Sequence, residues 1–246
     1  MDKTIIFGIR PIIEAINSGK EIEKILISKD LRGILYKELF NLIREFDISH
    51  QFVPIEKLNR ISKKNHQGTI AFISEISFTN IEQLIPLLFE QGKVPLILIL
   101  DEITDIRNMG AIVRTSECAG VHAIIIPTKG SAQINSDAVK TSAGALLSFP
   151  VCKSSNLKNT IKYLKNCGLQ IISATEKSEK IYYEANFTIP TVVILGSEQT
   201  GINPEYLKLS ESSVKIPVFG AINSLNVSVA SGIIIYEAVR QRSRIE

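Results

Sequence analysis

The chain lacks the features that announce a membrane, a disulfide framework or a bound metal. Its longest uninterrupted apolar run, residues 94–100, is seven residues long, whereas a membrane-spanning helix needs about 20. Residues 1–10 contain no apolar stretch of signal-peptide length and no small-residue cleavage site, so a cytoplasmic protein is expected. Cysteine is scarce and odd in number. Cys118, Cys152 and Cys167 form no C-x-x-C, which fits a reducing compartment. His50, His66 and His122 stand apart, so no metal is expected. Each cysteine sits in an apolar or Lys-rich helical context and reads as structural rather than nucleophilic.

The glycines exclude two further chemistries. No two of the 14 are separated by a single residue, so the dinucleotide fingerprint G-x-G-x-x-G is absent. Gly196-Ser197-Glu198-Gln199-Thr200-Gly201 has the spacing of a phosphate loop, but Ile202-Asn203 stand where Lys and Ser/Thr are required. Glu198, inside that loop, would repel a triphosphate. Nucleotide hydrolysis and Rossmann-type cofactor binding are both disfavoured.

What is present is ordinary globular material. The 246 residues are 45% hydrophobic and 22% charged, enough for one large domain or two modest ones. The 28 basic and 25 acidic residues leave a formal charge of +3, and binding of a polyanion depends on where such charge sits. Residues 1–93 hold 13 bases and 12 acids, and residues 94–246 hold 15 and 13. Two windows contain bases without acids. Lys57, Arg60, Lys63 and Lys64 lie between Glu56 and Glu75, and Lys140, Lys153, Lys158, Lys162 and Lys165 between Asp137 and Glu176. Solvated helix faces and a polyanion surface both fit these windows.

From residue 96 onward, short Ile/Val/Leu runs alternate with helical patterns. Residues 96–100, 123–126, 169–173, 192–195 and 214–216 read as buried strands because they are continuously apolar. Helices are expected over 108–119, 136–147, 157–166 and 204–209. A final helix over 225–242 should face Val229, Ile233, Ile234 and Ala238 inward and end in three arginines. Such alternation implies α/β architecture with a parallel sheet. The first 78 residues form a smaller α/β unit, with helices over 11–17 and 31–46 and strands at 25–27, 52–53 and 69–76. Residues 79–94 read as a linker containing a connecting helix over 81–89.

Polar groups gather after three of the C-terminal strands, where open α/β sheets bind their ligands. Asn108 and Arg114 follow the first strand, Glu198 follows the fourth, and Ser224 and Asn226 follow the fifth. Either asparagine could serve as a helix N-cap. Arg114, on a mostly apolar helix, could equally serve an interface.

Together these segments resemble the SpoU (TrmH-like) family of RNA ribose 2′-O-methyltransferases, of the SPOUT class. The motif N-x-G-x-x-x-R stands as Asn108-Met109-Gly110-Ala111-Ile112-Val113-Arg114, and the loop G-[SA]-E-x-x-G as Gly196 to Gly201. The third motif stands as Ile216-Pro217 and then Ser224-Leu225-Asn226-Val227-Ser228-Val229-Ala230. All three occur in order over about 150 residues. Residues 7–15 and the segment Asn65-His66-Gln67-Gly68-Thr69-Ile70-Ala71 resemble the family's L30e-like RNA-recognition domain, with Thr69 in place of an apolar residue. The arrangement, including Ala132-Gln133-Ile134-Asn135, is similar to the branch that modifies a guanosine of large-subunit rRNA. The motifs leave a tRNA substrate open.

The resemblance implies a catalytic domain over 95–246 with a trefoil knot, and an RNA-binding domain over 1–78. It implies S-adenosylmethionine (AdoMet) as cofactor, RNA as substrate and a homodimer whose active site is completed across the interface. Asn108, Arg114, Glu198, Ser224 and Asn226 become the expected catalytic group. Leu195, Gly196, Gly201, Ile216, Pro217, Leu225 and Asn226 become the expected cofactor site. Arg10, Arg60, Lys63, Lys64 and His66 are the expected RNA contacts. A non-catalytic RNA-binding or assembly protein is the alternative from another class.

Overall fold

The computed structural model describes residues 5–74 and 76–243. The chain forms two compact units, Met1–Ser77 with Ile134–Ser136, and Phe78–Gln133 with Asp137–Glu246. Residues 1–4, part of the N-terminal stretch read above for a signal peptide, and Arg244, one of the three terminal arginines, lie outside the described residues.

The first unit runs β1 (Ile5–Phe7), α1 (Ile9–Asn17), β2 (Ile22–Ser28), α2 (Ile34–Glu45), β3 (His50–Val53), α3 (Ile55–Ile61) and β4 (Thr69–Ile73). Its sheet has the order β1-β4-β2-β3, with β2 and β3 parallel and the other pairs antiparallel. Strand alternation divides the core. Ile25 and Ile27 pack with Ile12 of α1 and with Leu39 and Ile43 of α2. Leu26 packs with Val53, Leu58 and Ile70. β1 and α3 were not expected from sequence. Three residues are too few to show a period, and α3 starts directly after Pro54, its N-cap.

The second unit begins with α4 (Ile81–Glu90), followed by β5 (Leu96–Leu100), α5 (Ile106–Cys118), β6 (Ala123–Pro127), α6 (Ser136–Thr141), β7 (Val151–Ser154) and α7 (Leu157–Asn166). It continues with β8 (Gln170–Ala174), β9 (Thr191–Leu195), α8 (Pro204–Leu209), β10 (Ser212–Val214) and α9 (Val227–Arg242). The six strands are all parallel, in the order β10-β8-β9-β5-β6-β7. β5 and β9 are buried at all five positions each, as continuous apolar runs require. On one face Ile97, Ile99, Val192 and Ile194 meet Ile161 and Leu164 of α7 and Ile81, Ile85 and Leu88 of α4. The helix expected as a connector is therefore part of this core. α5 and α9 pack on each other.

Several expectations are corrected. The helix over 136–147 breaks after Thr141, because Ala143 (φ 53°) and Gly144 (φ 88°) are left-handed, which ends an α-helix. The edge strand β7 was missed because only Val151 and Cys152 of its four residues are apolar. On α9 the buried stripe is Val227, Ser231, Ile234 and Ala238. Val229 is 51% exposed instead of facing inward. Gly232 lies where the helix approaches α5, since a Cβ there would stand 3.8 Å from Thr115 Cγ2.

The second basic window is acid-free only along the chain. Lys158 pairs with Glu205 at 3.2 Å, Lys165 with Glu211 at 3.0 Å, and Lys140 with Asp137 at 3.9 Å. Two of the three terminal arginines, Arg240 and Arg242, are likewise engaged. Arg240 binds Glu237, and Arg242 donates to the carbonyls of Val94, Pro95, Phe187 and Ile189. Among the described residues, no helix is long and apolar enough to cross a membrane.

Candidate active site

In the parallel sheet of the second unit the chain runs outward from β5 to β6 and β7, then returns to the other side through β8 and β9. The direction of winding changes beside β5 and β9, and ligands of such sheets bind at that point beyond the carboxyl ends. Three polar segments meet there. Asp105 caps α5 by accepting from Arg107 N at 2.6 Å, so Asn108 is not the cap and its side chain is left for other work. Its Nδ2 donates to Glu198 Oε1 at 3.0 Å. Asn226 both caps α9, accepting from Ser228 N at 2.9 Å, and donates through Nδ2 to Glu198 Oε1 at 2.7 Å and Asn108 Oδ1 at 3.0 Å. Val227 N adds a longer bond to the same carboxylate oxygen at 3.5 Å. The positive end of α9 favours a carboxylate there. Glu198 is thus the knot of a three-segment network, held by amide donors.

The loop that presents Glu198 is built tightly. Gly201 N donates to Ser197 O at 3.0 Å, Ser197 Oγ meets Thr200 Oγ1 at 2.7 Å, and Gly201 has φ 70°. At Gly196 a Cβ would stand 2.2 Å from the Gly201 carbonyl carbon and 2.4 Å from Ile202 N. Only glycine lets the two limbs of the loop touch. Its exit is held by buried Asp101, whose Oδ2 accepts from Asn203 N at 2.8 Å. Burial pushes the Asp101 carboxyl up, the Asn203 N–H opposes that, and Glu102 adds to it. Nothing in the sequence marked Asp101.

Beside the network lies a cleft of about 120 Å³ lined by Leu195, Gly196, Val214, Ile216, Ser224, Leu225, Val227 and Ile234. Thr175 and Glu176, at the carboxyl end of β8, complete it and were not expected. The expected cofactor residues Leu195, Gly196, Ile216 and Leu225 are gathered here. Gly201 closes the hairpin, Pro217 follows Ile216, and Asn226 belongs to the amide–carboxylate network. The cleft is smaller than the roughly 300 Å³ at which small-molecule pockets begin. Its rim segment, residues 218–226, is exposed, with Phe219 98% and Ile222 78% accessible. Arg114 is not in the network. Six residues at 100° each carry it about 240° round α5 from Asn108, and it is exposed, with no hydrogen-bond or ion-pair partner among the described residues.

The profile of the SpoU rRNA Methylase family matches residues 95–236, which span all three segments. The chain belongs to this family of RNA methyltransferases. A second profile, RNA 2′-O ribose methyltransferase substrate binding, matches residues 5–79. A Staphylococcus saprophyticus protein assigned to the TrmH family of tRNA/rRNA methyltransferases is 33% identical over 245 residues, covering 100% of this chain and 98% of its own. YacO of Bacillus subtilis, assigned likewise, is 27% identical over 98% of this chain and 96% of its own. Among solved structures, the SpoU methyltransferase AviRb of Streptomyces viridochromogenes in complex with AdoMet shares the fold. Its TM-score is 0.63 at 22% identity, covering 98% of this chain and 91% of that one. The A. aeolicus TrmH/SpoU tRNA modifying enzyme is 32% identical, with TM-score 0.57, over 67% of this chain and 85% of its own.

In the SpoU chain's first unit, Arg10, Arg60, Lys63 and Lys64 are exposed, and Lys64 Nζ lies 5.6 Å from the Phe7 ring centroid. His66 occupies a different place from these four. It is buried, and its Nδ1 accepts from Gly68 N at 3.1 Å. The ring proton therefore sits on Nε2, which donates to Asn59 Oδ1 at 2.9 Å. This ring shapes the turn containing Gln67 (φ 49°) and Gly68 (φ 77°).

Proposed function

We propose that the protein methylates a ribose 2′-hydroxyl of structured RNA, a guanosine of large-subunit rRNA, using AdoMet. The observation that carries this is the Asn108–Glu198–Asn226 network, which joins the three SpoU segments at the edge of the cleft. The cleft suits the cofactor in kind. Leu195, Val214, Ile216, Leu225 and Ile234 offer an apolar wall, Glu176 and Thr175 offer acceptors for hydroxyls, and Gly196 lets the Gly201 limb of the loop close against it beside the cleft. AdoMet, when bound, supplies an electrophilic methyl with its own leaving group.

The work of the protein is then positioning. Glu198 holds the loops together rather than acting as a free base, because Oε1 is occupied by amide donors. Ser224, on the exposed rim, orients substrate with Asn108 and Asn226. Arg114 grips a phosphate of the target nucleotide, a role its fixed charge and forked donors suit. Its position away from the network favours an active site completed by a second copy of the chain, as a homodimer with a knotted C-terminal domain. Phosphates elsewhere in the RNA are met by Arg10, Arg60, Lys63 and Lys64, and His66 holds the loop that carries the last two.

Incubation with labelled AdoMet and either ribosomal or transfer RNA, followed by mapping of 2′-O-methyl sites, tests the proposal. Modification of tRNA alone would favour the second reading, to which the 32% identity with the A. aeolicus tRNA enzyme gives weight. No heat on titration with AdoMet would leave a non-catalytic RNA-binding protein. Wild-type turnover by Arg114→Ala at saturating RNA and cofactor would remove Arg114 from the site.

A further inference from the structure

We infer that the rim formed by α2 and β3 in the first unit is a stacking platform for unpaired bases of the RNA substrate. The inference rests on the reading of the chain as an RNA-modifying enzyme, and its surface is separate from the Arg60–Lys64 window.

Four rings form one continuous cluster. Phe40 of α2 is the hub, 5.7 Å from Tyr36, 5.6 Å from His50 and 6.2 Å from Phe52 between ring centroids. His50 and Phe52 meet edge to face at 5.7 Å. Such a cluster would be ordinary core if it were covered, but β3 is the edge strand of the sheet. His50, Gln51 and Phe52 are all exposed there, Phe52 at 41%. Neighbouring Phe46, just past α2, is 56% exposed. Edge strands are usually blunted by lysine or proline, and this one instead displays ring faces and edges.

One cation packs on the rings: the Arg44 guanidinium lies 4.7 Å from the Phe40 centroid. Lys24, which donates to Gln51 Oε1 at 2.8 Å, lies with Gln51 on the opposite face of the sheet edge. Exposed aromatic rings beside an arginine suit splayed nucleobases and the phosphates between them. The cluster also falls wholly within the segment matched by the substrate-binding profile. α2 carries Glu38 and Glu45 as well, so charge alone would give this surface little grip. Its contribution is stacking, and it should depend weakly on salt.

Binding of a short mixed-sequence single-stranded RNA and of its blunt duplex to the full chain tests this. Phe52→Ala and His50→Ala should each weaken the single strand roughly tenfold with little effect on the duplex or on AdoMet binding. Phe52→Leu keeps apolar bulk at the edge and should be impaired like Phe52→Ala, which separates stacking from loss of fold. The chain has no tryptophan, so Phe52→Trp supplies a lone reporter whose fluorescence should be quenched by the single strand at near wild-type affinity. Unchanged single-strand affinity in Phe52→Leu together with an unquenched Phe52→Trp would overturn the platform, even where the wild type binds and methylates RNA. Loss of self-association in Phe52→Ala with RNA affinity intact would overturn it in favour of a protein occupant. A wild type that binds neither RNA nor AdoMet would instead overturn the underlying functional reading.

Discussion

Asn226 does two jobs with two different atoms, and a single exchange separates them. Its Oδ1 caps α9 through Ser228 N and Ser228 Oγ, whereas its Nδ2 donates to Glu198 and Asn108. Asn226→Asp keeps the cap, since Asp and Asn are equivalent N-caps. It replaces the donor with a second carboxylate oxygen facing Glu198 Oε1, where the present separation is 2.7 Å. In solvent two such charges repel by about 1 kcal/mol, and the loss of the two hydrogen bonds that Nδ2 donates, each about 0.5 kcal/mol at an exposed site, adds about 1 kcal/mol more. Roughly 2 kcal/mol against the assembled loop corresponds to about a 30-fold fall in kcat/KM. Unfolding by urea should stay near wild type for Asn226→Asp, whereas Asn226→Ala should lose about 1 kcal/mol with the cap. Adding Glu198→Gln to Asn226→Asp restores one donor facing one acceptor, and the double variant should exceed either single variant in turnover. Methyl transfer from labelled AdoMet gives the rates. Wild-type turnover by Asn226→Asp, or a double variant no better than the poorer single one, would refute the reasoning.

Gly196→Ala forces a Cβ onto the Gly201 and Ile202 backbone, so calorimetry should show AdoMet affinity falling at least tenfold, with a stability loss of about 1–3 kcal/mol. His122 is a pH liability. Its Nδ1 accepts from Leu96 N, and burial first, then Arg242, hold its pKa below 6.5. The unfolded chain therefore takes up the proton first, and stability present above pH 6.5 is lost as pH falls from there toward the folded value. His122→Asn keeps an acceptor for Leu96 N, and its urea midpoint should show less of that acid-side loss. Neutralising Arg60, Lys63 and Lys64 together should weaken RNA binding and reduce the slope of log affinity against log salt by up to about 3. An unchanged slope would remove this window from the interface.

The legible parts of the fold are those where local pattern and burial coincide. β5 and β6, and β9 after Thr191, are uniformly apolar because both sheet faces are covered, and α7 and α8 lie where their patterns place them. The illegible parts are short or depend on a partner in space. β7 owes its existence to β6, with which it pairs from Val151 to Ser154. The end of α6 depends on left-handed backbone at Ala143, a residue whose type predicts the opposite. The Lys158 and Lys165 window looked basic because its acids, Glu205 and Glu211, arrive from 40 or more residues away.

By itself the sequence determined which residue types could act: the motif asparagines, Glu198 and the glycine-bounded loop, with no glycine pair and no cysteine framework to support other chemistry. It could not determine what each does, because Asn108 and Asn226 carry the same side chain and the same capping propensity. Only the tertiary structure decided that Asp105 caps α5 and frees Asn108, that Asn226 serves cap and network together, and that Arg114 stands exposed outside the network. Hydrogen bonds spanning 28 to 118 residues of chain depend on the parallel sheet bringing its strand ends side by side, and no local pattern records that distance.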